Sequence, residues 1–380
     1  MITLTAPDTP FAVVDTARLD RNIHRLHDHL ETLGVPLRLH VKTSKSTDIA
    51  RRVHNDGPGP ITVSTLGEAE YFADAGYSDI LYAVGIDPHK LPRVAALIRR
   101  GVTVTVLLDS SAQAQAVTQF AHDQSIRIPT LIEIDCDGHR GGITPNDPTL
   151  VEIGRILADN LAGVLGHAGE SYFAFTPNAL HKAADNERDV TVAAANALTG
   201  AGLSCPIVSI GSTPTAHRAT DLTGITEVRA GNYVFFDLVM AGLGVCTPDD
   251  LALSVVVTVI GHQPAKDWII TDGGWMATSR DRGTQSQPVD QGYGLVTDLA
   301  GRVIPDLLMT GASQEHGILS RRPGTTGSTP DLPVGTRLRI LPNHACATAA
   351  QHHLYHVVNS STSPTITPTI DAVWIRHNGW

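Results

Sequence analysis

The residues best suited to chemistry stand in Leu37-Arg38-Leu39-His40-Val41-Lys42. Successive side chains of a strand point to opposite faces, so Leu37, Leu39 and Val41 share one face and Arg38, His40 and Lys42 the other. Three basic groups turned into the interior of a closed sheet are costly unless they are paired or used. A structural reading pairs them with Glu133 and Asp135, which alternate with Ile132 and Ile134 in the same way. A chemical reading singles out Lys42, the last of the three. A lysine partly removed from water beside other cations sheds its proton more readily and condenses with carbonyls.

The elements that must position this segment read as alternating β and α units. Leu19, Ile23, Leu26, Leu30 and Leu33 recur at helical steps. β-rich runs follow at Leu37–Lys42, Ile61–Ser64, Asp79–Val84, Val102–Asp109, Thr130–Asp135, Gly163–His167, Pro206–Gly211 and Ile225–Ala230. Between them lie segments such as Leu66–Ala75, Pro88–Arg100 and Asn178–Leu198, long enough for the crossover helices that parallel strands require. Eight such units predict an α/β fold, a TIM-type (β/α)8 barrel over residues 16–239. After about residue 240, β runs at Leu251–Ile260, Trp268–Thr271, Arg337–Leu341 and Ala372–Arg376 follow without helical patterns between them. They predict a mainly β C-terminal domain, residues 240–380, which residues 1–15 join.

Barrel active sites lie at the C-terminal ends of the strands, where Lys42 falls. The same end receives Asp137-Gly138-His139-Arg140-Gly141-Gly142, His167-Ala168-Gly169-Glu170-Ser171-Tyr172, Gly211-Ser212-Thr213-Pro214-Thr215 and Arg229-Ala230-Gly231-Asn232-Tyr233. The last two follow strands seven and eight, the usual barrel phosphate site, and glycines there let backbone N–H groups approach an anion. A Gly-Ser-Thr-Pro run by itself is an ordinary turn; its company with the second loop and an inward lysine favours a phosphate. Lysine and phosphate cradle on one barrel point to pyridoxal phosphate.

Composition removes other classes. Charged residues make up only 17% of the chain, against disorder or a coiled coil. Lys and Arg number 28 against 38 Asp and Glu, the wrong balance for tracking phosphates of nucleic acid. The most apolar stretch, Leu253–Ile260, is far short of the roughly 20 residues that span a bilayer, so no membrane partner is expected. The opening lacks the basic start and apolar core of a signal peptide, making the cytoplasm the expected compartment. His24, His27 and His29 lie off the apolar stripe of the first helix without an H-E-x-x-H pattern, and with His352, His353 and His356 they read as surface or packing residues. Gly242-Leu243-Gly244 lacks the rest of a dinucleotide fingerprint.

Five ordered segments, His40-Val41-Lys42-Thr43, Thr65-Leu66-Gly67-Glu68-Ala69-Glu70, His167-Ala168-Gly169 with Ser171-Tyr172, Gly211–Thr215 and Pro342-Asn343-His344-Ala345-Cys346, resemble the D-serine dehydratase-like family over nearly the whole chain. The resemblance implies an alanine-racemase-type barrel with a C-terminal β domain. It implies Lys42 as the Schiff-base lysine of pyridoxal phosphate, Arg140 facing the cofactor's phenolic oxygen and Tyr172 its pyridine nitrogen, with His167 also in the cofactor site. Gly211, Ser212, Thr213, Gly231 and Asn232 would surround the phosphate. His344 and Cys346 would bind a divalent metal, zinc ahead of manganese or another ion. A two-ligand site keeps positions open for substrate oxygens. Ser44 stands where relatives carry a second histidine, and Gln314 in Ser313–Gly317 where they carry Glu. The implied reaction is loss of water from a D-configured 3-hydroxy amino acid, 3-hydroxyaspartate before D-serine, by a homodimer. A D-threonine aldolase, an amino-acid racemase and a non-catalytic pyridoxal phosphate carrier are the alternatives; aldolases of this group tend to carry Asp where Cys346 stands.

Overall fold

The computed structural model describes residues 2–361 and 368–380. By backbone contacts the chain divides into two units, Arg25–Gly231 with Gly379–Trp380, and Met1–His24 with Asn232–Asn378. The chain opens with strand β1 (Phe11–Asp15) and the helix Thr16–Thr32 that the leucine spacing predicts. The first unit then holds β2 (Leu37–His40), β3 (Ile61–Val63), β4 (Asp79–Gly85), β5 (Thr103–Leu108), β6 (Thr130–Ile134), β7 (Leu161–Gly166), β8 (Ile207–Ile210) and β9 (Glu227–Ala230), which close in that order into a parallel barrel. All eight expected strands are present. Crossover helices separate them, including Leu66–Asp74, Leu91–Arg99 and Pro177–Gly200.

One expected end differs: β2 stops at His40, so Lys42 stands in the turn beyond the strand and is exposed rather than partly removed from water. The basic face divides accordingly. Arg38, buried near the start of β2, donates through Nε to Glu227 at 2.7 Å and through Nη1 and Nη2 to Asp79 at 2.8 and 3.2 Å. Glu227 also accepts from Ser209 Oγ at 2.7 Å, and Ser209 from Arg229 Nη1 at 2.7 Å. Arg38 is thus a structural ion-pair residue, with Asp79 and Glu227 as its partners in place of the expected Glu133 and Asp135. Removing one member leaves Glu227, whose side chain is 12% exposed, without its counter-charge. Arg38→Met is therefore expected to lower stability by about 3–5 kcal/mol, read as a fall in the denaturant midpoint at unchanged slope. A loss below about 1 kcal/mol would assign the pair the small value of a surface bridge.

The second unit contains β1 and β10 (Leu253–Gln263), β11 (Trp268–Thr271), β12 (Gly294–Thr297), β13 (Val303–Ala312), β14 (Gly317–Arg321), β15 (Arg337–Pro342), β16 (Leu354–Val358) and β17 (Ala372–Ile375). They pair in the order β11-β14-β13-β12-β15-β10-β1-β16-β17, and β11 also pairs with β10. Val255, Val257, Ile269, Val296, Leu307, Met309, Leu319 and Ile340 form the core between them. β1 lies between β10, antiparallel, and β16, parallel, with Val13 opposite Ser254 and His356. β12, β13, β14 and β16 were not expected from the sequence, nor were the single helical turns Trp275–Thr278 and Ala345–Ala349. Among the described residues, no helix is long and apolar enough to cross a membrane.

Candidate active site

At the C-terminal end of the barrel, His40 and His167 are partly buried and both feel the charges of Lys42 and Arg229. Burial first, then these cations, holds the His40 imidazole well below its ordinary pKa. His167 falls to about 3, again chiefly through burial, with Lys42, Arg229 and Arg140 adding to the effect. His167 Nδ1 lies 2.8 Å from the Gly211 carbonyl, to which it must donate, so the neutral ring presents Nε2 as an acceptor. Arg229, 4% exposed, donates to Gly166 O and Ser209 Oγ, both at 2.7 Å, and burial brings its pKa down to about 10.

Arg140 is exposed and donates through Nη2 to Glu133 at 3.1 Å. Asp135, the other acid expected to pair with the basic face, instead accepts the amides of Asp137 and Gly138 at 3.1 and 2.7 Å and shapes the loop carrying Arg140. Tyr172 lies half-buried on the single turn Gly169–Phe173. Gly231 follows β9 where any Cβ would strike the His40 carbonyl, and Gly211, at φ +146, where it would strike Arg229 backbone. These two glycines are required by close backbone approach, which seats both loops against β2 and β9.

The Gly211–Thr215 loop differs from a set of spare donors. Gly211 N–H donates to Glu187 at 3.1 Å and Ser212 N–H to Thr215 Oγ1 at 3.2 Å. Ser212 Oγ caps the helix Thr213–Arg218 and lies 2.9 Å from Ser171 Oγ. Gly211 and Ser212 therefore frame the loop, with their hydrogens engaged inside it. Another sequence motif has a similar part. Glu68, fully buried, accepts Ser64 N–H at 2.9 Å and pairs with Lys45 Nζ at 2.8 Å, tying down the segment that follows Lys42. Lys45 itself adopts φ +44.

In the β unit, His344 and Cys346 bracket Ala345 at the start of the turn Ala345–Ala349. His344 Nδ1 donates to Asp281 Oδ2 at 2.6 Å, and the His344 side chain also hydrogen-bonds Cys346. Burial works against the His344 charge, but Cys346, Asp281 and Asp237 outweigh it and hold its pKa up at about 11. The Ala345 amide donates to Asp237 at 2.9 Å, and the same Oδ2 accepts from Asn232 Nδ2 at 2.6 Å. Asp237 is fully enclosed, which raises its pKa. Asn232 is thus joined through one carboxylate to the His344–Cys346 segment. No group of three or more His, Cys, Asp or Glu able to hold a metal occurs among the described residues.

This arrangement has known counterparts. Residues 14–239 match the family described as alanine racemase, N-terminal domain, and residues 252–358 match the serine dehydratase domain. A D-threo-3-hydroxyaspartate dehydratase of Delftia sp. (strain HT23) is 53% identical over 384 aligned residues, covering 100% of this chain and 99% of that protein. The chain belongs to the D-serine dehydratase-like family. As a member of it, the chain is an enzyme of the carbon–oxygen lyase class, and the barrel with its mainly β C-terminal part is the family's alanine-racemase-like fold. A D-serine dehydratase of Dictyostelium discoideum is 28% identical over 93% of this chain and 94% of its own length. The solved structure of the Delftia dehydratase superimposes with a TM-score of 0.95 at 52% identity, with all of both chains covered. Two variant structures of a D-threo-3-hydroxyaspartate dehydratase replace a histidine and, two positions later, a cysteine by alanine, the cysteine variant being in a metal-free form.

Sequence reasoning missed Asp281, Asp237 and Glu187. Asp281 and His344 are 63 positions apart, with no local pattern joining them. Glu187 does leave a signal: it is a charged residue on the buried stripe Ala184, Thr191, Ala194, Ala195 and Leu198 of its helix.

Proposed function

We propose that the enzyme is a pyridoxal phosphate- and divalent-metal-dependent dehydratase. It converts D-threo-3-hydroxyaspartate to oxaloacetate and ammonia and acts second on D-serine, giving pyruvate and ammonia. The observation that carries this reading is the end-to-end match to the Delftia dehydratase at 53% identity.

The donor set suits the cofactor. Lys42, Arg229 and Arg140 all bear on His167, which is held neutral, so the mouth of the barrel has positive charge to offer a phosphate and a phenolate. Lys42 is accessible for attachment. Arg140 would lie at the phenolic oxygen, Tyr172 at the ring nitrogen and His167 against the ring. Gly211, Ser212, Thr213, Gly231 and Asn232 would enclose the phosphate, with Gly211 and Ser212 acting as the frame. Bound there, pyridoxal phosphate supplies an electron sink for the pair left at Cα.

His344 and Cys346 suit a metal for a different reason. A metal-binding imidazole commonly donates its second N–H to a carboxylate, and Asp281 accepts that bond from His344. A divalent ion on this pair supplies a Lewis acid for the departing β-hydroxyl.

Within that frame Lys42, once released from the cofactor, takes the Cα proton, and the Lys45–Glu68 anchor keeps its segment in place. His167, fixed by Gly211, offers an acceptor at Nε2 and adds no charge. Turnover of a panel of D- and L-3-hydroxy amino acids tests the reading. Oxaloacetate or pyruvate with equimolar ammonia is the expected outcome for the D-substrates. Glycine with an aldehyde or 2-oxo acid fragment would mark an aldolase, the L-isomer a racemase, and no product from a loaded protein a carrier.

A further inference from the structure

We propose that Glu187 is a positioning residue that sets the phosphate loop Gly211–Thr215 against the loop after β7 that carries His167 and Tyr172, an assignment that rests on the cofactor reading above. Glu187 lies on the helix Pro177–Gly200, is fully buried, and directs its carboxylate entirely at those loops. Oε1 accepts the amide of Ala168, after β7, at 2.8 Å and that of Gly211, after β8, at 3.1 Å. Oε2 accepts the Thr215 hydroxyl at 2.6 Å.

The bonds continue around a ring. Thr215 Oγ1 accepts Ser212 N–H at 3.2 Å, Ser212 Oγ lies 2.9 Å from Ser171 Oγ, and Ser171 donates to the Ala168 carbonyl at 2.7 Å. The ring returns to Glu187 through Ala168 N–H. Two loops from different strands are therefore locked to one another through one carboxylate and the Ser171–Ser212 pair.

The carboxyl of Glu187 is held at both oxygens. The two amides can only donate, so Oε1 acts as an acceptor of both, while Oε2 is bonded to the Thr215 hydroxyl. Burial raises the pKa of Glu187, opposed by its bonds to Thr215, Ala168 and Gly211 and by the charge of Arg229. The Thr191 hydroxyl donates to the Glu187 carbonyl at 2.7 Å, fixing the helical turn from which the side chain projects. A negative group behind a phosphate site would by charge alone oppose anion binding. Its contribution lies in holding Ala168, Gly211, Ser212 and Thr215 in place.

The test separates loop positioning from general stability by using a ligand pair that differs only in the phosphate. The full-length chain is stripped of cofactor, and pyridoxal 5'-phosphate and pyridoxal are each titrated by absorbance and equilibrium dialysis. Glu187→Leu removes all three acceptor contacts, and Thr215→Val removes one hydroxyl at nearly constant volume. Thr215→Val should weaken pyridoxal 5'-phosphate by about tenfold or more, as expected for a lost hydrogen bond, while pyridoxal is held as in the parent, and Glu187→Leu, which also frees the loop carrying His167 and Tyr172, should weaken pyridoxal 5'-phosphate at least as much. Thr215→Ser keeps the hydroxyl and should restore the parent affinity. Thr215→Val decides the matter alone if Glu187→Leu does not fold. Equal losses for both ligands in folded Thr215→Val, or no loss for either, would overturn the assignment. A parent chain that held pyridoxal 5'-phosphate no better than pyridoxal would overturn the cofactor reading, and the role of Glu187 with it.

Discussion

Lys42→Ala is expected to abolish turnover, with a loss of at least about 10⁴-fold, because in the proposed reaction one amine both attaches the cofactor and carries the Cα proton. The absorbance of covalently attached cofactor should vanish as well, while free cofactor still occupies the phosphate loops. Borohydride reduction and digestion of the parent protein should place the modification on Lys42. Lys45, three positions on, is the natural competitor. Its Nζ is paired with buried Glu68 at 2.8 Å and its side chain is only 15% exposed, so attachment there would sacrifice that pair. A modified peptide whose label sat on Lys45 would sink the assignment.

The second large effect concerns the metal pair. His344→Ala, Cys346→Ala and exhaustive chelation should each remove activity by about a hundredfold or more, the loss of a Lewis acid worth several kcal/mol. Cofactor absorbance should persist in all three, because Lys42 and the His344–Cys346 pair belong to separate units of the chain. Asp281→Asn should weaken metal affinity by about 10- to 100-fold with the two ligands intact, since it removes the carboxylate that orients the imidazole. Unchanged activity of either alanine variant in metal-free buffer would remove the metal from the mechanism. Thermal unfolding of each variant separates this from loss of structure.

The barrel was legible because its strands are β-rich runs separated by segments with helical spacing, and β2 to β9 all appear where those runs lie. Lys42 could be singled out for a related reason: strand alternation puts a run of bases on one face, which demands an explanation. Alternation did not tell Arg38 from Lys42. The former is closed off by Asp79 and Glu227, acids 41 and 189 positions away, and the latter stands beyond the strand end. The β unit was less legible. β13 contains Pro305 and Asp306, the latter at φ +60, and Val303 and Pro305 in its first half are exposed, so composition does not announce a strand. β12 has only four residues. Buried carboxylates were hardest to foresee, because their partners are backbone amides, which every sequence offers at every position.

The placement of β1 bears on how the chain is made. Phe11 pairs with Val256 and Val13 with His356, so this strand waits for partners synthesised some hundreds of residues later. All eight barrel strands are complete by Ala230, before β10 begins at Leu253. The barrel can therefore close during synthesis while β1 has neither neighbour and both of its edges are bare. Closing those long loops places the β sheet late in folding. A chain released early would carry a finished barrel and an open strand, a template for association with other chains, so chaperone demand should peak in the interval between Ala230 and Val358.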